Sequence, residues 1–274
     1  MMKSSGKFAD LHTHTILCGH AAGQPEEFLD AAIEKGLKYY GISDHLPCPD
    51  GFDQESRMMM LQYPEYRQIV ANMKKRAEGS GTEVLYSCEM DYVPGRMREV
   101  ADFVIPEHYD YIIGSIHTVN GFLVDHPDYT PRFLECGVDF MWNMYFDMLC
   151  EFVTGFPFHI LGHADLLKVF GYRHSDAAVV NQRMFSVFEL CAEKNIMIEI
   201  NTAGWRKPVG EQYPSFELLK LAHQCGCSIT LGSDAHKPEQ IAADFDKAVE
   251  LAEAAGFSCA YAFKNGNPIE MPFH

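Results

Sequence analysis

Gly232-Ser233-Asp234-Ala235-His236 closes a short apolar run at residues 228–232, and His12-Thr13-His14 follows a similar run, Phe8-Ala9-Asp10-Leu11, near the start of the same 274-residue chain. Both stretches place polar, metal-ligating side chains where a strand ends. If the two sets serve one site, the first and last strands have to be brought side by side. An open parallel sheet leaves those strands apart or meets them at a switch point, whereas a closed barrel rings all strand ends around one opening. This pair of stretches therefore predicts a barrel.

Working outward, strand patterns rich in β-branched and aromatic residues recur at about 8–11, 39–43, 84–88, 111–116, 159–162, 196–201 and 228–232, with a weaker eighth at 258–263. Helical patterns lie between them. Pro25 occupies a first-turn position, Glu26 and Glu27 suit the positive helix start, Phe28, Leu29, Ala32 and Ile33 make an apolar face, and Gly36 ends the run. Met184, Val187, Phe188 and Cys191 keep helical spacing, as do Leu218, Leu221, Ala222 and Cys225, and Ile241, Phe245, Ala248, Val249 and Ala252. Strands alternating with such helices give a parallel sheet with right-handed crossovers. The whole chain, 1–274, is expected to form one barrel domain. The stretch 122–158 is longer than a crossover needs and predicts a helical insertion beside the mouth.

A hydrophobic content of 47 % is ample for one large core. The formal charge of −16 argues against a nucleic-acid surface, which needs clustered Lys and Arg. Nine cysteines without a CxxC pair read as reduced thiols, with Cys225 and Cys227 as helix-end packing, and no segment has the length and apolarity of a signal peptide or membrane span. A cytoplasmic protein acting on a small molecule is expected.

Between the two opening stretches, further candidates fall at the same strand ends: His20, Asp44 with His45, Glu89, His117 and His163. Any one of these histidines taken singly reads as packed or exposed polarity, and HxH alone is a weak motif. Their recurrence at one strand C-terminus after another reverses that reading, because this face of a barrel is where chemistry gathers. Zinc-type sites use three or four protein ligands, so the candidates are too many for one ion. His108, His126, His159, His174, His223 and His274 do not follow the strand-end rule and are read as structural, and Met58, Met59 and Met60 as core filling or loop. A phosphate dianion needs fixed cations as well as metals, and Arg206 with Lys207, just past the strand that ends at Asn201, is best placed to supply them. Lys168 and Arg173 are weaker candidates of the same type.

These residues resemble the polymerase and histidinol phosphatase (PHP) superfamily over about residues 8–240: His12-Thr-His14, His20, Ser-Asp44-His45, Glu89, Gly-Ser-Ile-His117, Gly-His163 and Gly-Ser-Asp234-Ala-His236. The more specific segment, Asn201-Thr-Ala-Gly-Trp-Arg-Lys-Pro-Val-Gly-Glu211-Gln-Tyr213-Pro-Ser215, is similar to that of the monofunctional histidinol-phosphate phosphatases. The resemblance implies a distorted (β/α)7, TIM-like barrel with three metal ions. It implies one ion held by His12, His14, Glu89 and Asp234, a second by Glu89, His117 and His163, and a third by His20, His45 and His236. It further implies Arg206 on substrate phosphate, Lys168 as another cation, and Glu211 and Tyr213 near the amino group or imidazole of the substrate.

The expected reaction is hydrolysis of L-histidinol phosphate to L-histidinol and phosphate, a step of histidine synthesis, through a water bridging two ions. Asp44 is expected to orient His45 or shuttle a proton, and Asp234 to serve as ligand and proton acceptor. Histidine and carboxylate ligands suit zinc, iron and manganese alike, divalent or in mixed valence. The rival readings are a phosphoesterase for nucleotides, phosphotyrosine or sugar phosphates, an amidohydrolase, and a metal-storing module. The segment 204–215 speaks against the first, the lack of a bridging Lys against the second, and an arginine-bearing loop at the same opening against the third.

Overall fold

The computed structural model describes residues 8–48, 56–104 and 107–274. Along the chain come β1 (Ala9–Asp10), α1 (Pro25–Glu34), β2 (Tyr39–Ile42), α2 (Tyr63–Arg76), β3 (Glu83–Asp91), α3 (Met97–Val104) and β4 (Tyr111–Ser115). A small hairpin, β5 (Thr118–Val119) and β6 (Phe122–Leu123), is followed by α4 (Thr130–Cys136), α5 (Val138–Gly155) and β7 (Ile160–Leu161). The remainder is α6 (Ala177–Lys194), β8 (Met197–Asn201), α7 (Phe216–Gln224), β9 (Ile229–Gly232), α8 (Phe245–Ala255), β10 (Cys259–Lys264) and β11 (Asn267–Pro272).

Seven strands pair in parallel in the order β1-β2-β3-β4-β7-β8-β9. The two edges then meet: Leu11 N donates to Leu231 O at 3.1 Å, His14 N to Ala235 O at 3.0 Å, and Thr13 pairs with Ala235 in a parallel bridge. Asp10 reinforces this seam, its carboxylate accepting from Ser233 N at 2.9 Å, Ser233 Oγ at 2.5 Å and Ala242 N at 2.8 Å. The first and last strands are neighbours, so the fold is a nearly closed, distorted (β/α)7 barrel.

Local sequence explains the helices. α1 starts with Pro25, and the Glu27 carboxylate accepts from Gln24 N at 2.6 Å. In α6, Met184, Val187, Phe188 and Cys191 are all buried against the barrel, the face that their spacing selects. In α5, Phe152 stacks on Phe158 at 4.5 Å and on Tyr92 at 5.2 Å, and its ring, with that of Phe158, fills the space that a Cβ on Gly114 would need. Burial of each such aromatic contributes roughly 2–3 kcal/mol.

The interior is layered by strand parity, since alternate residues face inward. At the lower level Leu11, Tyr39, Leu85, Tyr111, Ile113, Ile160 and Met197 form an apolar plug. The next inward positions are small or polar: Gly41, Ser87, Ser115, Gly162 and Glu199. Gly41 is obligatory, because a Cβ there would lie 1.7 Å from the Tyr111 hydroxyl. Above them come Glu89, His117, His163, Asn201 and Asp234.

The pattern at 258–263 does form a strand, β10, but it is not an eighth stave. It pairs antiparallel with β11 and places Ala262, Phe263 and Met271 on the lower plug. Lys264 reaches Glu83 at 2.6 Å and Asn265 N donates to Asp110, both at the lower ends of strands, so the hairpin caps the bottom. Within 122–158, α5 packs on the outer wall as the crossover between β4 and β7, whereas the mouth is lined from 123–129. Among the described residues no helix is long and apolar enough to cross a membrane.

Candidate metal centre

The nine ligand candidates converge at the upper end of the barrel around Glu89. Its Oε2 lies 3.3 Å from His12 Nε2, 3.7 Å from His14 Nε2 and 2.8 Å from His45 Nδ1, while Oε1 lies 3.0 Å from His163 Nε2 and 3.6 Å from His117 Nε2. Asp234 Oδ1 approaches His14 Nε2 at 3.1 Å and His12 Nε2 at 3.9 Å. His236 stacks between His14 at 4.1 Å and His20 at 4.4 Å, ring centre to ring centre, with His45 4.5 Å from His14.

His12 Nε2, His14 Nε2, His45 Nδ1, His236 Nε2 and Glu89 Oε2 are buried with no hydrogen-bond partner among the described residues, although they lie this close together. Buried polar atoms normally pair. Two atoms each about 2.1 Å from one tetrahedral ion lie about 3.4 Å apart, so crowding without hydrogen-bond alignment is what converging metal ligands show. Groups whose donor atoms all lie within 4.8 Å of one another include His12–His14–Asp234, His12–Glu89–His163 and His14–His45–His236. His20 joins His236 in a further group that contains Cys18. The donor set fits metal ions.

The crowded groups shift one another, and against the effect of burial neighbouring carboxylates raise the pKa values of His12, His14, His45 and His117. Burial opposes ionisation of Glu89 and Asp234, but the imidazoles of His45, His12 and His117 around Glu89, and of His12, His14 and His236 around Asp234, outweigh it and hold both carboxyls well below the usual range. Burial, aided by His45 and His14, pushes His20 down to about 4, and burial with His14 lowers His236. Both shifts favour the neutral ring, the form that offers a lone pair to a metal. His163 (φ 23°) and Asp234 (φ 52°) hold left-handed backbone conformations, a strain that the surrounding barrel has to maintain.

A second set of groups, which the sequence reading did not single out, fixes the outward ring nitrogens. Glu199 Oε1 lies 2.7 Å from His12 Nδ1, Asp91 Oδ1 lies 2.5 Å from His117 Nδ1, and the backbone carbonyls of Cys18 and Asp234 lie 3.0 Å from Nδ1 of His20 and His236. Such partners fix ring orientation and direct the other nitrogen at the metal. Arg57 in turn grips Asp91 through Nη2 at 2.9 Å and Nη1 at 2.6 Å. The available signal was parity: Asp91 is two residues beyond Glu89, and Glu199 two before Asn201, on the inward face of otherwise apolar strands.

Asp44 is fully buried and occupied. It accepts from Thr15 N at 3.1 Å, from Thr15 Oγ1 and from His45 N at 2.9 Å, and lies 3.4 Å from His14 Nδ1. That arrangement places it against the ring of His14 and the backbone of His45.

The centre opens into a cavity of about 310 Å³ and an outer cleft of about 860 Å³ that share His20, His45, His117, Asp125 and Lys207. Arg206 reaches the inner cavity, with Nη2 anchored on Ser233 O at 2.5 Å and Nη1 3.4 Å from Thr202 O. Tyr213 lines it too, 1 % exposed, with a hydroxyl that has no hydrogen-bond partner among the described residues. Lys168 and Glu211, expected from the resemblance to meet the substrate, meet each other. Lys168 is wholly buried, its ammonium bound at 2.8 Å each to Asp165, Glu211 and the carbonyl of Gln212, and Glu211 also takes Arg173 at 2.5 Å. Neither lines the cavity; together they pin the loop that carries Arg206 and Tyr213. His126 lies on the outer cleft, and Met58 is buried while Met59 and Met60 are exposed.

Comparison with known proteins accords with this geometry. A protein of Deinococcus radiodurans named "Probable histidinol-phosphatase" is 32 % identical over 260 residues, 94 % of this chain and 98 % of that one. A Schizosaccharomyces pombe protein of the same name is 24 % identical over 279 residues, covering 93 % of this chain and 89 % of its own. The structure of histidinol phosphate phosphatase from Lactococcus lactis, complexed with zinc, L-histidinol and phosphate, superposes with a TM-score of 0.82 at 23 % identity, covering 97 % of this chain and all of that one, and so shares the fold. The PHP domain pattern matches residues 10–203, from the aspartate of the seam to the first turn after β8. With its strand-end histidines and carboxylates gathered at the mouth of a seven-strand barrel, this chain belongs to the PHP domain family.

Proposed function

We propose that this protein is a metal-dependent phosphomonoesterase that hydrolyses L-histidinol phosphate to L-histidinol and phosphate. The observation that carries the proposal is the sharing of one cavity by two sets of groups: residues with unpartnered, buried ligand atoms, among them Glu89, His45 and His236, and the cationic Arg206. The names of the relatives and the zinc, L-histidinol and phosphate held by the Lactococcus lactis enzyme support the same substrate.

His12, His14, Glu89 and Asp234 would hold one ion, Glu89, His117 and His163 a second, and His20, His45 and His236 a third. The two oxygens of Glu89, turned to different histidines, support a carboxylate shared between ions. Zinc is the first candidate, with iron and manganese compatible with the same donors. When bound, such ions neutralise phosphate charge and make water nucleophilic near neutral pH.

The remaining work falls to the chain's own residues. Arg206, held by Ser233 and Thr202, presents its guanidinium to non-bridging phosphate oxygens, and Lys207 at the rim adds a second positive charge. The Tyr213 hydroxyl is free to donate to the substrate. The acidic net charge of −16 supports a small-molecule partner over nucleic acid, and the buried thiols of Cys18, Cys88, Cys191 and Cys227 support a reducing, cytoplasmic setting. We also take 1–274 as a single domain.

Steady-state rates on L-histidinol phosphate and on a simple aryl phosphate, with bound metals quantified in the same sample, test the proposal. Selective turnover of the first by metal-loaded protein is expected. Equal rates would remove the substrate assignment, and no hydrolysis by loaded protein would remove the reaction.

A further inference from the structure

We infer that Glu199 is the positioning residue that sets the metal affinity of the centre, by holding three ligand stations in one carboxylate; this rests on the metal-dependent reading above. Glu199 stands on β8 with a side chain 1 % exposed. Oε1 lies 2.7 Å from His12 Nδ1. Oε2 accepts from the backbone N–H of His163 at 2.8 Å and from Asn201 Nδ2 at 3.1 Å, and the same Asn201 amide lies 3.3 Å from Asp234 Oδ2. One carboxylate thus fixes a ring, a left-handed backbone and, through Asn201, a second carboxylate. These stations follow β1, β7 and β9, whose ends the barrel brings round it.

The space for this group is built into the neighbouring strands. A Cβ on Gly232 would come within 2.0 Å of Glu199 Oε1, and a Cβ on Gly162 within 3.6 Å of Oε2 and 2.5 Å of Ser115 Oγ. The glycine two residues before Asp234 therefore makes room for the Glu199 carboxylate, and the one before His163 makes room for Ser115 and Ile113 beside it.

Every neighbour of Glu199 requires an acceptor. His163 N and Asn201 Nδ2 are donors, and His12 has to carry its ring proton on Nδ1 if Nε2 is to offer a lone pair to a metal. A carboxylate accepts on both sides, whereas a carboxamide of the same shape accepts on only one. With its oxygen toward His163, the carboxamide of a Glu199→Gln variant would point an NH2 at His12 Nδ1 and drive the ring proton onto Nε2, the ligand atom. With its oxygen toward His12, it would set the NH2 against the His163 and Asn201 donors. The requirement is for charge and acceptor count, which volume alone does not meet.

The test is competitive zinc titration of Glu199→Gln against a chromophoric chelator, with the visible spectrum of the cobalt-substituted protein as a second readout. Affinity is expected to fall about 10- to 100-fold and the cobalt bands to shift, while the metal-free variant unfolds within a few degrees of wild type. Zinc affinity within twofold of wild type and an unchanged cobalt spectrum would overturn the inference. Should Glu199→Gln not fold, Asn201→Ser removes the amide that joins Glu199 to Asp234 while keeping an oxygen that can accept from Ala203 N: a several-fold loss of zinc affinity supports the inference, and a change under twofold overturns it. A wild-type protein that takes up no zinc, iron or manganese would instead sink the underlying metal reading.

Discussion

Arg206 and Tyr213 both face the cavity, yet they differ in how much the fold needs them. Arg206 spends two of its nitrogens on the carbonyls of Ser233 and Thr202, which orient the guanidinium and leave further N–H groups for an anion. A charge-assisted contact is worth about 1.5–3 kcal/mol, so Arg206→Ala should lower kcat/KM on L-histidinol phosphate about 10- to 100-fold with metal content unchanged. Lys at this position should not restore the rate, since it lacks the planar fork. The Tyr213 hydroxyl is buried without a partner among the described residues, and burial pushes its pKa up, so it acts as a donor. Removing an unsatisfied buried hydroxyl relieves a desolvation cost, and Tyr213→Phe should leave thermal stability unchanged or slightly higher while kcat/KM falls several-fold. A loss of more than about 2 kcal/mol in denaturant unfolding would show that the hydroxyl is already paired, and would remove it from the substrate-facing set.

At the scale of the element, the stretch from Thr202 to Ser215 is a loop with a buried anchor. Asn201 and Tyr213 exchange backbone hydrogen bonds at 2.7 and 2.9 Å, Gly204 lets the limbs touch where a Cβ would lie 2.0 Å from Glu211 O, and Lys168 with Asp165 ties Glu211, Gln212 and Ser215 from below. Sequence spacing suggested Lys168 as a substrate cation because it stands just after a ligand strand. Spacing supplies the element but not the direction of a side chain on a short 3-10 turn, here Leu166–Lys168. Removing one partner of a buried ion pair leaves the other uncompensated, so Lys168→Met should cost about 3–5 kcal/mol and raise KM through loss of loop order. Burial opposes charge on Glu211, but Lys168 and then Arg173 prevail and lower its pKa. A depressed carboxyl contributes stability above its unfolded pKa of about 4.5 and loses it as pH falls through the lower folded value. Amide exchange in 202–215 should therefore speed up as pH drops below about 4.5, beyond its intrinsic pH dependence, and this acid step should shrink in Lys168→Met, where only Arg173 still pairs with Glu211. An identical step in both proteins would place the titrating group elsewhere.

For the whole molecule, what was legible followed from chain periodicity, and what was not depended on contacts across the barrel. His12, His14, Glu89, Asp234 and their companions stood out because polar residues ended apolar runs. Glu199 and Asp91 did not, because their partners lie on other strands, in the case of Glu199 and His12 across the closed seam. The 258–263 strand was visible as a strand, but its place under the barrel came from antiparallel pairing with β11 and from Phe263 entering the apolar plug. Closure also makes a prediction of its own. The seam joins β1 to β9 through few backbone bonds, notably Leu11 to Leu231 and His14 to Ala235, with the Asp10–Ser233 contacts beside them. His12 and His14 rise from one edge of that seam and Asp234 and His236 from the other, so any ion held between them also clasps the barrel shut. Zinc at about 100 times the dissociation constant of one site would add about 2.7 kcal/mol for that site, or about 5 °C in Tm for a chain of this size. The gain should be concentrated at the seam. Chelation is expected to accelerate amide exchange at Leu11, His14 and Ala235 while leaving Ile113, on the far stave β4, at its original rate, and zinc should reverse it. Uniform acceleration through all seven strands would mean that the ions stabilise the barrel as a whole and not at its closure.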